Sequence, residues 1–226
     1  MINKPNIIGI IQARMDSKRL PGKSLRLLRG KPMLEHILNN VIDSQLVDKF
    51  VVATSTLESN NSICDLCDKM GVDYYRGDED DVLSRFVKIA KNNKADILIR
   101  LTADNPFVEK DFIDYMLSKY INLYSKYDYL HNFSRCNFPY GLFVEIFKSN
   151  ALMQASLTNS KEDKEHVTMY FKKNSKKFKI AAFKAENIFK YERLTVDNEL
   201  DFLNSERIMK DLNFPKKSFT YLDLIK

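Results

Sequence analysis

Four cations, Arg14, Lys18, Arg19 and Lys23, fall within ten residues around a Pro21-Gly22 turn. The apolar run Ile7 to Ile11 just before them reads as a buried strand. A strand that empties into a basic loop at the carboxyl edge of an α/β sheet is where such folds bind anionic ligands. Side-chain cations, with the backbone amides of Ser17 to Gly22, suit the phosphates of a nucleotide and the charge on a leaving pyrophosphate. A charged surface turn accounts for the same residues, so the loop alone does not decide. It carries neither a Walker A sequence nor G-x-G-x-x-G, which disfavours a P-loop kinase and a dinucleotide-binding oxidoreductase.

Two aspartates change the balance. Asp104 follows the apolar run Asp96–Thr102, and Pro106 fixes the turn after it. Asp197 follows a second short run, Arg193–Val196, and precedes a helical pattern. Magnesium takes one or two protein carboxylates together with phosphate oxygens, so these two suffice for a metal–triphosphate site. The competing role for Asp197 is the N-cap of the following helix.

Other reactive residues carry less. Cys64 and Cys67 form a C-x-x-C inside a helical stripe with Ile63, Leu66 and Met70, and helix packing accounts for them. With Cys136 they make three, so no complete disulfide framework exists. His36 reads as a helix-surface residue and His131 as the end of a strand. Neither has an adjacent serine or cysteine arrangement for nucleophilic catalysis. The aromatics Tyr120, Tyr124, Tyr127, Tyr129 and Phe133 read as core or dimer surface.

The elements that must position these groups alternate. Strands are expected at Ile7–Gln12, Lys49–Thr54, Val72–Tyr75 and Asp96–Thr102. Helices are expected from Lys31-Pro32-Met33, over Glu58–Met70 with Gly71 as C-cap, after Asp80 or Asp81, and from Glu109 to Tyr120. Alternation of this kind implies right-handed βαβ units and a mostly parallel sheet with helices on both faces. The basic loop, Thr54-Ser55-Thr56, Arg76–Asp81 and Asp104-Asn105-Pro106 then share one sheet edge. The second half is less regular. Strands are expected at Tyr127–Phe133, Gly141–Phe147, Phe178–Phe183 and Arg193–Val196, with helices at Lys161–Asn174 and Asn198–Leu212.

The chain of 226 residues suits one domain, with 44% hydrophobic and 29% charged residues. No apolar run approaches the roughly 18 residues of a membrane span. Met1 to Pro5 lacks the features of a leader, so the chain reads as cytoplasmic. The net charge of +6 fits an anionic partner. Much of it sits at Lys172-Lys173, Lys176-Lys177 and Lys179, which read as a solvated face rather than a nucleic-acid patch, since no nucleic-acid-binding motif accompanies them.

The segment Ala13 to Met33, ARMDSKRLPGKSLRLLRGKPM, resembles the opening signature of the sugar cytidylyltransferases, which include the CMP-Kdo and CMP-sialate synthetases. Further segments resemble the spore-coat polysaccharide biosynthesis (SpsF-like) branch. They are Asp81 to Phe86 (DVLSRF), Arg100 to Pro106 (RLTADNP), Pro139 to Glu145 (PYGLFVE), Glu165 to Thr168 (EHVT) and Arg193 to Asp197 (RLTVD). The resemblance implies a Rossmann-like nucleotide-diphospho-sugar transferase fold with a smaller β-containing flap for substrate or dimer contacts. By the same resemblance residues 1–125 form a nucleotide-binding half, 126–192 the flap, and 193–226 a closing strand and helix. It implies transfer of CMP from CTP to a sugar, an ulosonic or nonulosonic acid or a related one, with release of pyrophosphate and with Mg2+ as cofactor. Arg14 and Lys23 would contact the triphosphate, supported by Ala13, Ser17 and Arg19, with Arg85 near the nucleotide. Asp104 and Asp197 would hold magnesium, and Glu145 and His166 would face the sugar. A homodimer is implied, with no nucleic-acid partner and no membrane insertion. The chain is short against the CMP-Kdo synthetases, and Asn105 stands where the SpsF-like branch more often has cysteine. A guanylyl-, uridylyl- or thymidylyltransferase acting on a sugar phosphate fits the same fold.

Overall fold

The computed structural model describes residues 4–133, 136–214 and 217–226. Met1, Ile2 and Asn3, part of the N-terminal stretch considered above, lie outside the described residues. The chain opens with β1 (Ile7–Gln12), then the basic loop, and a small hairpin of β2 (Leu27–Leu28) and β3 (Lys31–Pro32). There follow α1 (Met33–Val41), β4 (Lys49–Ser55), α2 (Asn61–Met70), β5 (Asp73–Gly77), α3 (Val82–Asn92), β6 (Ile97–Thr102) and α4 (Lys110–Lys119). The second half adds β7 (Tyr129–His131), β8 (Glu145–Lys148), α5 (Ser149–Ala155), α6 (Lys161–Glu165), α7 (Met169–Lys173), β9 (Ile180–Ala182) and α8 (Glu199–Asp211).

Seven strands form one sheet in the order β5-β4-β1-β6-β8-β7-β9. The first four are mutually parallel, β8 runs antiparallel to both its neighbours, and β7 and β9 are parallel. The mostly parallel sheet is thus as expected, and the later strands extend it at one edge. Central strands of such a sheet are covered on both faces and so read as continuous apolar runs. In β1, Ile7 and Ile11 face one core cluster with α1, α2, α4 and α8, while Ile8 and Ile10 face the other with α3, α5 and α7. All four are at most 2% exposed, and each contributes about 1.5–3 kcal/mol by leaving water. Gly9 lies opposite Phe50 of β4, and a Cβ there would meet the Phe50 ring at 2.3 Å, so the glycine makes room for the aromatic side chain.

Several local expectations are corrected. Lys31 and Pro32 belong to the hairpin, and the helix starts one residue later, at Met33. His36 is not on the surface: it is 1% exposed, its Nε2 bonds the Leu28 carbonyl, and its ring lies 5.2 Å from that of Phe214. The hairpin and the C-terminal segment cover that side of α1, which periodicity within the helix could not reveal. The expected helix over Lys161–Asn174 is two short helices broken at His166. The break buries Val167 in the core and turns the Thr168 hydroxyl onto Glu145. Arg193–Val196 is not a strand. It makes one parallel bridge, Tyr140 to Arg193, and donates from the Leu194 amide to the Tyr140 carbonyl and from the Val196 amide to the Asp104 carbonyl. Cys64 and Cys67 are buried thiols on α2, and burial pushes Cys67 up to about 12, which suits packing and not redox chemistry.

Candidate active site

The carboxyl ends of β1, β4, β5 and β6 bring the expected loops to one edge. The basic loop leaves β1 through Ala13, which is buried and donates to the Ala53 carbonyl, extending the parallel ladder by one residue. The loop is tied down: the Met15 amide donates to Asn60 Oδ1 at 2.8 Å, Ser59 Oγ donates to Asp16, and Ser24 Oγ donates to the Arg14 carbonyl at 2.9 Å. Asn60 itself donates to Ser55 Oγ at the end of β4. Gly22, at φ 71, completes the turn, a conformation glycine adopts without cost. The Ser17 and Gly22 amides, expected to face phosphate, both donate to the Met15 carbonyl. Ser17 Oγ accepts from the Leu20 amide, so this side chain shapes the loop.

Lys23 is where the site converges. Its ammonium donates to Asp104 Oδ2 at 3.0 Å, Asp197 Oδ1 at 3.2 Å and the Val196 carbonyl at 2.8 Å. Its side chain is 13% exposed. Each aspartate is oriented by its remaining oxygen. Asp104 Oδ1 accepts from Thr102 Oγ1 at 2.6 Å, and Asp197 Oδ2 accepts from Arg193 Nη2 at 3.1 Å. Arg19 adds a 2.9 Å ion pair to Asp197 Oδ1. Asp201 clamps Arg193 with two bonds of 2.6 and 2.8 Å and accepts the Asp197 amide. Hydrogen bonding to Asp201 raises the Arg193 pKa, and the same contact lowers that of Asp201, so both stay charged. Asp197 is not the helix cap. Asn198 fills that position by accepting the Asp201 amide, which frees the Asp197 carboxylate for the site.

Two carboxylate oxygens from different loops therefore face a single cationic position, and the second oxygen of each is fixed. That donor set fits magnesium, which combines one or two carboxylates with phosphate oxygens and water. Among the described residues no group of three or more His, Cys, Asp or Glu side chains gathers to hold a metal without such help.

Arg14 projects over the acidic loop between β5 and α3 (residues 78–81), 3.7 Å from Glu79 Oε1. Arg85 lies beneath that loop, 1% exposed, donating from Nη2 to the Glu79 carbonyl at 3.1 Å. Burial lowers its pKa, and Glu79 acts against that shift. Arg85 Nε and Glu79 Oε2 are both buried without a hydrogen-bond partner. Gly77 lets the arginine pass, since a Cβ there would meet Arg85 Cγ at 2.6 Å. Asp81 caps α3 by accepting the Ser84 amide.

Beside Asp104 the sheet carries a second feature. A cleft of about 150 Å³ is lined by Arg100, Thr102 and Asn105 on one side and by Phe133, Phe143, Glu145 and Lys172 on the other. Strand register builds it. Arg100 of β6 pairs with Glu145 of β8, which pairs with His131 of β7, while Gln12 pairs with Thr102. Arg100 forms an ion pair with Glu145 and donates to Gln12 Oε1 at 3.1 Å. Glu145 also accepts from the Tyr129 hydroxyl and, at 2.7 Å, from Thr168 Oγ1. Burial pushes the Glu145 pKa up, but Arg100 with the Tyr129 and Thr168 hydroxyls outweighs it, so Glu145 is a carboxylate. Burial and the Glu145 charge hold the Tyr129 phenol protonated. Asn105 joins this cleft to the first site by donating to Thr102 Oγ1 at 2.9 Å.

Of the expected site residues, Lys23, Asp104, Asp197 and Arg19 thus meet directly. Arg14 and Arg85 meet through Glu79, and Glu145 lines the neighbouring cleft. His166 is corrected: it is exposed at the break between α6 and α7 and does not line the cleft, and Thr168 of the same motif reaches inward instead. Lys172 keeps the solvated character expected of the lysine-rich face and adds a contact to it. Its side chain is exposed, yet its ammonium lies 4.1 Å from the Phe133 ring centroid and the residue lines the cleft. Arg100, Arg193 and Asp201 had no expected role. The signal for Arg100 was present, since a charged residue inside an otherwise apolar strand needs a buried partner.

A family model described as cytidylyltransferase matches residues 8–221. The spore coat polysaccharide biosynthesis protein SpsF of Bacillus subtilis is 36% identical over 205 residues, covering 87% of this chain and 83% of that protein. The structure of a cytidylyltransferase from Leptospira borgpetersenii superposes with a TM-score of 0.86 at 28% identity, covering 98% of this chain and 92% of that one. A CMP:2-keto-3-deoxy-manno-octonic acid synthetase solved with CTP superposes with a TM-score of 0.68, covering 92% of this chain and 99% of that one; at 17% identity this is a likeness of fold.

Proposed function

The chain belongs to the cytidylyltransferase family, and within it we propose an enzyme that transfers CMP from CTP to a sugar hydroxyl, releasing pyrophosphate, for surface polysaccharide or glycan synthesis. The observation that carries this reading is the convergence of Lys23, Asp104 and Asp197 at the mouth of the basic loop, with Arg19 on the same carboxylate. The SpsF relative and the CTP-bound structural neighbour support the choice of pathway and nucleotide.

Arg14 and Lys23 take the triphosphate, with Arg19, Ala13 and Ser17 shaping the loop that presents them. Negative charge moves onto pyrophosphate as the α-phosphorus bond breaks, and fixed cations there stabilise the transition state more than the ground state. Asp104 and Asp197 hold magnesium, which when bound neutralises phosphate charge and lowers the pKa of the attacking hydroxyl. Arg193 and Thr102 keep the two carboxylates turned toward that position. Arg85 and Glu79 carry the wall of the nucleotide pocket, and the Arg100–Glu145 cleft holds the sugar beside Asp104. Catalysis on this scheme is positioning and electrostatics.

Pyrophosphate release with magnesium, each of the four nucleoside triphosphates and a panel of ulosonic acids, nonulosonic acids and simpler sugars tests the proposal. CTP is expected to support turnover alone. Release with GTP, UTP or dTTP in place of CTP would overturn the base assignment, and release with none would overturn the reaction.

A further inference from the structure

We infer that Lys172 is the acceptor-selecting residue of the cleft beside Asp104, and that it takes an anionic substituent, a carboxylate or a phosphate, on the molecule that receives the nucleotide. The inference rests on the transfer reaction proposed above and names the residue that reads the charge of its second substrate.

The charges in the cleft do not balance. Arg100 and Glu145 form an ion pair, and Glu145 is further occupied by the Tyr129 and Thr168 hydroxyls. Arg100 holds one carboxylate oxygen and the two hydroxyls hold the other, so Lys172 feels the Glu145 charge from a distance without forming an ion pair with it. Among the described residues no carboxylate lies within ion-pair distance of the Lys172 ammonium, whereas Lys173, its neighbour, pairs with Glu162 and Asp163 at 2.6 and 2.9 Å. Lys172 faces the opposite way, over the Phe133 ring at 4.1 Å. His131 stacks on the same ring at 4.2 Å, and burial lowers its pKa, so it adds no second positive charge to the cleft at ordinary pH. The net charge of the lining is one positive unit.

The ammonium is also uncomfortable where it sits. Desolvation lowers its pKa and Arg100 adds to that, with Glu145 acting in the opposite sense. A ligand anion would relieve both effects. A second donor is available, since Arg100 Nε is buried without a hydrogen-bond partner. Phe133 and Phe143 supply the apolar surface on which a sugar ring can lie. Thr102 connects the cleft to Asp104 through hydrogen bonds of 2.9 and 2.6 Å, so an acceptor held here is adjacent to the reacting phosphate. Neutral hydroxyls can be bound by many groups, but an unpaired ammonium costs affinity for a neutral ligand and adds it for an anionic one.

Calorimetry on the full chain tests this with 3-deoxy-manno-octulosonate, its methyl ester, glucose 1-phosphate and glucose as probes, in the wild type, Lys172→Met and Lys172→Arg. At least one of the two anions is expected to bind the wild type. Lys172→Met should weaken that anion roughly 10- to 100-fold, the range for a charge-assisted hydrogen bond. Lys172→Arg should keep most of the affinity, and the matching neutral probe should bind the wild type and Lys172→Met alike. Preference for octulosonate over its ester identifies a carboxylate, and preference for glucose 1-phosphate over glucose identifies a phosphate. Equal binding of the anion by wild type and Lys172→Met, or binding of neither anion, overturns the inference. CTP titrated with magnesium into the same samples separates this result from the reaction itself. Intact CTP binding with no role for Lys172 sinks only the acceptor assignment, whereas loss of CTP binding in the wild type sinks the transfer reading.

Discussion

Lys23 and Asp197 stand 174 positions apart in the chain and meet at 3.2 Å, with Asp104 closing the triangle at 3.0 Å from the same ammonium. The basic loop after β1 and the aspartates after β6 and before α8 are thus one electrostatic unit.

Asp104→Asn keeps the shape of the residue and its bond from Thr102 but removes the charge on the cationic position. Magnesium-dependent pyrophosphate release is expected to fall by roughly a hundredfold or more. Lys23 keeps Asp197 and the Val196 carbonyl as partners and the amide oxygen can still accept from Thr102, so thermal stability should change little. Near-normal turnover in this variant would remove Asp104 from the metal site.

Arg193 is a positioning residue. It turns Asp197 toward Lys23 and is itself gripped by Asp201. Arg193→Met and Asp201→Asn should each weaken magnesium activation and lower kcat by about tenfold with less effect on KM for the sugar. The double variant should cost little more than either single one, because the two residues act as a pair. Arg193→Lys should rescue little, since an ammonium cannot reproduce the forked contact. Strictly additive losses would show that the clamp is not a unit.

Gly141 carries a structural demand that its surroundings state directly. It sits at φ +106, and a Cβ would lie 2.3 Å from the Thr195 amide nitrogen and 2.7 Å from the Leu194 carbonyl carbon. Both obstacles are backbone atoms of the segment that leads to Asp197, so neither can rotate away. Gly141→Ala is therefore expected to destabilise the protein by more than about 2 kcal/mol and to reduce activity by displacing Asp197. A denaturant melt unchanged from wild type would contradict this.

Much of this arrangement was legible because the first half follows the rules of a parallel sheet. The runs around Ile8, Val52 and Leu98 announce buried strands, and functional loops must then follow their carboxyl ends. Asp104 and Lys23 could be paired on that basis. Glu145 entered by resemblance alone, and what escaped depended on antiparallel register in the second half. No spacing within one segment shows that β8 pairs with β6 so that Glu145 faces Arg100, or that a break at His166 turns Thr168 onto Glu145 and leaves Lys172 at the cleft. His36 failed for a related reason: its helix looks one-sided until the 27–32 hairpin and Phe214 are folded over it.

His36 and His131 give the protein a pH signature. Burial lowers both pKa values below the ordinary 6.5, the Leu28 carbonyl opposing this for His36 and the Glu145 charge opposing it for His131. The unfolded chain therefore takes up these protons first as the pH falls. Their contribution to stability is present above about pH 6.5 and is lost as the pH drops toward the folded-state values. Each such group can tilt stability by up to about 1.4 kcal/mol per pH unit within its window. The melting temperature should fall between about pH 7 and pH 5. His36→Gln, whose amide can still donate to the Leu28 carbonyl, should flatten part of that slope. Superimposable slopes for wild type and His36→Gln would mean that His36 is not among the groups that titrate on unfolding.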